Sequence, residues 1–256
     1  MADSYSLVLW GIYASSVVVY ATLQFLKAPF GKFQDARFGP VLPGRLGWCL
    51  FESVSLFACP ASYFLAAPPQ FRTATQLVVL SLWVVHYFHR SFVYVLRAPS
   101  IAPTGVLTVV TAIVYNLANG YVNGIAIARF GAGSDSEPLP LSFYTGLALF
   151  LLGMGINIHS DSILFALRRK KSSTGQRYHI PRGGLFELVS CANYSGEILE
   201  WFGWALLNGL SGGPLSFLAF TLANLVPRAV SQHQWYHRTF GSAYPKSRKA
   251  VFPFLY

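Results

Sequence analysis

Long apolar stretches separated by short basic ones decide most of what this chain can become. Seven segments, near residues 5–26, 46–67, 74–95, 104–128, 141–164, 184–208 and 213–234, are each long enough to cross a hydrocarbon core of ~30 Å at a rise of ~1.5 Å per residue. Only 11% of the 256 residues are charged and the mean hydropathy is +0.45. A soluble domain of this size covers its surface with about a quarter charged residues. The balance predicts an all-α integral membrane protein forming a single domain over residues 1–256. It excludes a disordered chain, a secreted disulfide scaffold and a soluble nucleic-acid binder. Cys49, Cys59 and Cys191 lie in apolar runs without C-x-x-C or Cys/His ligand spacing, so buried thiols and no metal are expected.

The net charge of +10 matters less than where the 19 basic residues fall. With the amino terminus outside, seventeen of them, from Lys27, Lys32, Arg37 and Arg45 through Arg168–Lys171 and Arg177 to Lys249, collect on the cytoplasmic side, and only Arg72 and Arg129 face out. That asymmetry predicts an odd number of spans and a cytoplasmic carboxyl terminus. The first span opens Met1-Ala2-Asp3 with no basic residue before it, which reads as a retained span rather than a cleaved leader. The outer connections, among them Gly131 to Pro140, are short or bland. The cytoplasmic ones are longer and richer in basic residues.

Ionisable groups in hydrocarbon are expensive unless they face the bundle interior. Glu52 stands alone in the second span. In the third, Trp83, Tyr87, Arg90, Ser91 and Tyr94 recur at three- and four-residue spacing and share a helical face. Asn157, Asp161 and Arg168 share a face of the fifth span, as do Asn193, Glu197, Glu200 and Trp201 in the sixth. Counted from the cytoplasmic ends, Glu52 and Tyr87 both lie ~10 Å deep and are expected to meet. Glu197, counted from Gly184, falls ~20 Å deep, which asks for an interfacial stretch or a tilt at the start of the sixth span. The histidines lack metal-ligand spacing and read as structural. Gly153-Met154-Gly155 reads as close helix packing, because no βαβ context surrounds it.

Several blocks, in order along the chain, carry a resemblance: 86–94 (HYFHRSFVY), 153–161 (GMGINIHSD), 178–186 (YHIPRGGLF), 193–201 (NYSGEILEW) and 244–254 (YPKSRKAVFPF). On these blocks the chain resembles the steroid 5α-reductase family, nearest its type 2 branch. The resemblance implies a seven-span enzyme that uses NADPH to reduce the 4,5 double bond of a 3-oxo-Δ4-steroid, with hydride added at C5. It implies that Glu52 and Tyr87 hold the 3-oxo group, and that Asn157, Asp161, Arg168, Tyr178, Asn193, Glu197 and Tyr236 line the cofactor cavity. Trp201, Phe220 and Leu225 would border the steroid. Phe51, His179 and Gln232 stand where the family has glutamine, arginine and histidine.

A donor pair at the carbonyl oxygen suits this chemistry, because hydride addition to the far carbon of an enone drives charge onto that oxygen. The expected partners are a steroid or other lipid enone and membrane lipid, for a monomer in the endoplasmic reticulum of a eukaryote or the inner membrane of a bacterium. A reductase of another conjugated lipid, such as a polyprenal or an enoyl thioester, is the alternative within the same chemistry. A membrane methyltransferase would not explain Glu52 and Tyr87 at one depth. A transporter would show inverted repeats, and none is visible.

Overall fold

The computed structural model describes residues 3–26, 39–129, 138–170 and 178–255. Among them run seven long helices: α1 (Ser4–Phe25), α2 (Gly44–Ala66), α3 (Ala74–Arg97), α4 (Val106–Arg129), α5 (Leu141–Arg169), α6 (Ala192–Leu207) and α7 (Gly212–Phe240). The first five are long and apolar enough to cross a membrane. Leu7, Trp10 and Val17 on α1, Phe57 and Leu65 on α2, and Val110 and Val114 on α4 point outward, as lipid-facing side chains do. Lys27, Lys32, Arg37, Lys171 and Arg177, and most of the 131–140 connection, lie outside the described residues.

Local chemistry starts several helices. Asp3 caps α1 by accepting the Ser6 N–H at 2.8 Å, and Thr73 and Gln76 form a reciprocal capping box on α3. A two-residue antiparallel pair, β1 (Val41–Leu42) with β2 (Thr104–Gly105), starts α2 and α4 side by side.

Close approach then depends on small residues. Gly146 and Gly153 of α5 meet Gly203 and Gly196 of α6, where an added Cβ would run into the opposite backbone. Gly120 and Gly124 of α4 meet Ala58, Cys59, Ser62 and Tyr63 of α2 in the same way. In lipid, where burial of apolar surface does not drive helices together, such contacts carry association through dispersion. The core between these pairs holds Tyr63, Trp83, Phe150, Trp201, Trp204 and Phe217.

Three boundaries differ from the sequence expectation. The sixth segment, expected over 184–208, is helical only from Ala192. Before it, Gly183 and Gly184 take positive φ values and Gly184–Glu187 form a 3-10 turn. The Ser190 and Cys191 N–H groups then bond Lys249 and Ala250 carbonyls at 2.8 and 3.1 Å, while the Lys249 N–H bonds the Leu188 carbonyl at 2.9 Å. Backbone donors engaged by a distant segment cannot also build a helix. The fifth and seventh helices run past their expected ends, to Arg169 and Phe240.

Inside α3 the residues His89–Val93 form a π turn. A wide turn weakens the helical hydrogen-bond ladder, and two side chains of α2 answer it. Trp48 Nε1 donates to the Arg90 carbonyl at 3.1 Å and Cys49 Sγ to the Ser91 carbonyl at 3.1 Å. Such insertions recur at functional sites.

Candidate active site

A cavity of about 760 Å³ is lined by residues of all seven helices and of the 178–191 segment. Eight of the twelve residues expected in a site line it: Glu52, Asp161, Arg168, Tyr178, Asn193, Glu197, Leu225 and Tyr236. The late start of α6 accounts for the depth of Glu197. Counted from Ala192 rather than Gly184, it lies about 8 Å into the helix, close to the level estimated for Glu52.

Tyr87, Asn157, Trp201 and Phe220 do not line this cavity but stand a layer behind its wall. Asn157 donates from Nδ2 to the Asn193 carbonyl at 2.9 Å. It sits where α5 and α6 have already closed, since an added Cβ on Gly196 would strike the Asn157 backbone. One turn on, opposite the first turn of α6, Asp161 lines the cavity, with Asn193 Nδ2 donating to its Oδ1 at 3.3 Å. Trp201 is buried against Phe217, Trp83 and His86, with the Phe217 centroid at 4.2 Å. Phe220 stacks on Tyr115 of α4 at 3.7 Å. Tyr87 packs on Trp83 at 4.8 Å and turns its hydroxyl toward Ser55, within electrostatic reach of Glu52.

Among the residues lining the cavity is Arg90, part of the stripe seen in the sequence but given no role there. Its guanidinium lies 3.7 Å from Glu52 and 3.6 Å from Asp161, and it covers the rings of Trp48 and Tyr94 at 5.0 and 4.8 Å. Glu197 also acts on it electrostatically. Separations of 3.6–3.7 Å compensate charge without completing hydrogen bonds. The Asp161 Oδ2 atom is buried without a hydrogen-bond partner among the described residues. The sequence signal for Arg90 was its place on the stripe with Trp83, Tyr87 and Tyr94.

Part of the wall is basic and aromatic. Arg168 donates to the Ser100 carbonyl at 3.3 Å, Arg228 covers the Tyr194 ring at 5.3 Å, and Tyr178 meets Trp235 edge-on at 5.0 Å. Behind the wall is a second buried pair absent from the expected site, His86 Nδ1 with Glu200 Oε1 at 2.6 Å.

A deep, charged pocket of this make in an apolar helical bundle has parallels among known proteins. The family model described as 3-oxo-5-alpha-steroid 4-dehydrogenase matches residues 102–256. Steroid 5-alpha-reductase DET2 of Gossypium hirsutum is 39% identical over 251 residues, covering 96% of this chain and 95% of that protein. Its counterpart of the same name in Solanum lycopersicum is 36% identical over 256 residues, covering 98% and 97%. The 3-oxo-5-alpha-steroid 4-dehydrogenase 1 of Rattus norvegicus is 39% identical over 233 residues, covering 91% and 88%. The names of these relatives do not single out the type 2 branch. Matches of this extent, over a chain whose charged cavity joins the same sequence blocks, make it a member of the steroid 5α-reductase family.

Proposed function

We propose that this enzyme uses NADPH to reduce the 4,5 double bond of a 3-oxo-Δ4-steroid. The observation that carries the reading is one cavity joining Glu52, beside Phe51 and Leu225, to Asp161, Asn193, Arg168, Arg228 and Tyr236. The donor set suits a dinucleotide. Arg168 and Arg228 meet its phosphate charge, Asp161 with its unpartnered oxygen accepts from hydroxyl or amide groups, and Tyr178 and Tyr236 offer ring faces. When bound, NADPH supplies the hydride that the steroid accepts at C5.

The chain's own residues handle the charge that results. Electron density moves from the double bond to the 3-oxygen, where the Tyr87 hydroxyl donates a hydrogen bond and Glu52 donates or orients it. Tyr87 stands a layer behind the wall, and catalytic contacts often tighten only in the substrate complex. Enclosure in an apolar bundle strengthens both contacts by excluding water. A proton then adds at C4 to complete the saturated ketone.

The same reading holds that all seven helices cross the membrane, with the amino terminus outside and the cavity open to the cytoplasm. The clustering of basic residues on one side supports it. In sealed membrane vesicles with the cytoplasmic face outward, an impermeant label should react with a tag at the carboxyl terminus and not with one near the amino terminus.

The reaction is tested with purified protein, NADPH carrying deuterium at nicotinamide C4, and testosterone. A 5α-reduced product with deuterium at C5 is the expected result. Retention of NADPH with turnover only of a polyprenal or an enoyl thioester would move the enzyme to another conjugated lipid. Absence of NADPH oxidation with any of these enones would overturn the reading.

A further inference from the structure

Buried polar atoms without partners are uncommon in folded proteins, and each asks for a reason. Two collect on α4: the Tyr115 hydroxyl and the Asn119 Nδ2 are buried and make no hydrogen bond among the described residues. Helix packing sets their level. The β1–β2 pair starts α2 and α4 together, Asn116 Nδ2 donates to the Phe51 carbonyl at 2.6 Å, and Gly120 lies against Ala58 and Cys59. Tyr115 is therefore carried at the level of Glu52 and Ser55.

Its direction is constrained as well. Thr108 and Ala112 of α4 line the cavity, and Tyr115 lies at i+7 and i+3 from them on the same face, about one turn deeper. Its ring stacks on Phe220 of α7 with an interplanar angle of 20°. Its hydroxyl acts electrostatically on Tyr87. Two phenols thus stand at one level on either side of α2, one from α3 and one from α4. Of the two, the Tyr115 hydroxyl is the one without an acceptor.

We propose that the Tyr115 hydroxyl is a second donor to the substrate's ketone, one O–H from Tyr87, oriented by Glu52, and one from Tyr115 meeting the two lone pairs of the same oxygen. The proposal rests on the enone-reductase reading and names a residue that reading does not use. An oxygen with two lone pairs accepts both bonds without strain. The unpartnered hydroxyl then has its explanation: its acceptor arrives with the ligand.

The test is a binding cycle on the full-length, NADP⁺-loaded protein, comparing wild type and Tyr115→Phe with testosterone and with its 3-deoxy analogue. Phenylalanine keeps the stack on Phe220, so folding is preserved. Tyr144→Phe, exposed on α5, serves as the control. Wild type should bind testosterone more tightly than the 3-deoxy analogue, and Tyr115→Phe should shrink that preference roughly three- to tenfold, the usual range for one hydrogen bond. Cofactor retention should not change.

An unchanged preference in Tyr115→Phe, with equal or raised thermal stability, would overturn the proposal and leave the hydroxyl to a buried water. Binding of both steroids without turnover by wild type would refute the reaction but leave the cycle to judge Tyr115. Failure of wild type to bind either steroid would remove both.

Discussion

Arg90 has only a few neighbours with which to offset the loss of its water shell, and they are the acids the chain also places around its cavity. Glu52 and Asp161 approach it at 3.7 and 3.6 Å, and aromatic faces cover the rest. Held in this way, the two carboxyl groups are placed beside the arginine without completed hydrogen bonds to it. Tyr87 is the opposite case, an uncharged donor packed between Trp83 and Trp201. Tyr87→Phe keeps that packing, so NADPH retention should survive while turnover of enone steroids falls ~100- to 1000-fold, the usual effect of losing a transition-state donor. Glu52→Gln should be milder than Glu52→Ala if Glu52 acts as a hydrogen-bond donor, and equally damaging if it transfers a proton. Steroid product formed per mole of NADPH-loaded enzyme measures all three. Near wild-type rates in every variant would remove the pair from the chemistry.

Between elements, small residues and irregular turns do the positioning. The Gly146–Gly203 and Gly153–Gly196 contacts bring α5 and α6 together, and Asp161, Asn193 and Glu197 line the cavity near the start of α6 at Ala192. Gly196→Val would force a side chain into the Gly153 carbonyl and the Asn157 backbone. Overpacking of this kind costs about 1–3 kcal/mol even where neighbours can shift, and here the neighbours are backbone. The variant should lower the thermal midpoint in detergent and weaken NADPH binding together, measured by unfolding and by direct titration. Gly155→Val, whose Cβ position meets nothing within 4 Å, should do neither. The π turn of α3 works in the same sense. It sets Arg90 over Trp48 while Trp48 and Cys49 satisfy the carbonyls beside it.

Across the whole molecule, the carboxyl-terminal strap holds the entrance to α6. Buried Arg248 donates to the Pro181 carbonyl at 2.8 Å and to Glu187 at 3.3 Å, and Ser195 Oγ donates to the Val251 carbonyl at 2.5 Å. The Glu187 carboxylate lies below the ordinary carboxylate range, chiefly because it accepts the Gly183 N–H at 2.6 Å, with Arg248 beside it. A carboxyl group depressed in the folded state stabilises it fully above the unfolded value of about 4.3, and that contribution fades as pH falls through the lower folded value. The difference in thermal midpoint between wild type and Glu187→Gln should therefore be constant above about pH 5 and close below pH 4. Because Glu187 is half exposed, the difference should be small and reduced by salt. A gap that persists at about pH 3 would show that the carboxylate's charge is not what it measures.

Apolar length, helical periodicity and the placement of charge are local properties, and the sequence by itself determined their consequences. The helices, the polar stripes, the family likeness and the common level of Glu52 and Tyr87 were all legible in the order of residues alone. The start of α6 was not, because its preceding backbone is claimed by Lys249 and Ala250, nearly sixty residues away. Nor was the division of the expected site into eight cavity-lining residues and four behind them. Asn157 and Asp161 share a helical face in sequence, yet only Asp161 lines the cavity, since Asn157 lies against the backbone of α6. Arg90 could be seen on its stripe, but its bridging of Glu52 and Asp161 required α2 and α5 to close around α3. Tyr115 had no periodic signal at all, being one tyrosine in an apolar span whose missing partner shows only when every neighbour is in place. Periodicity reports which face of a helix turns inward; what that face meets is decided by contacts far apart in the chain.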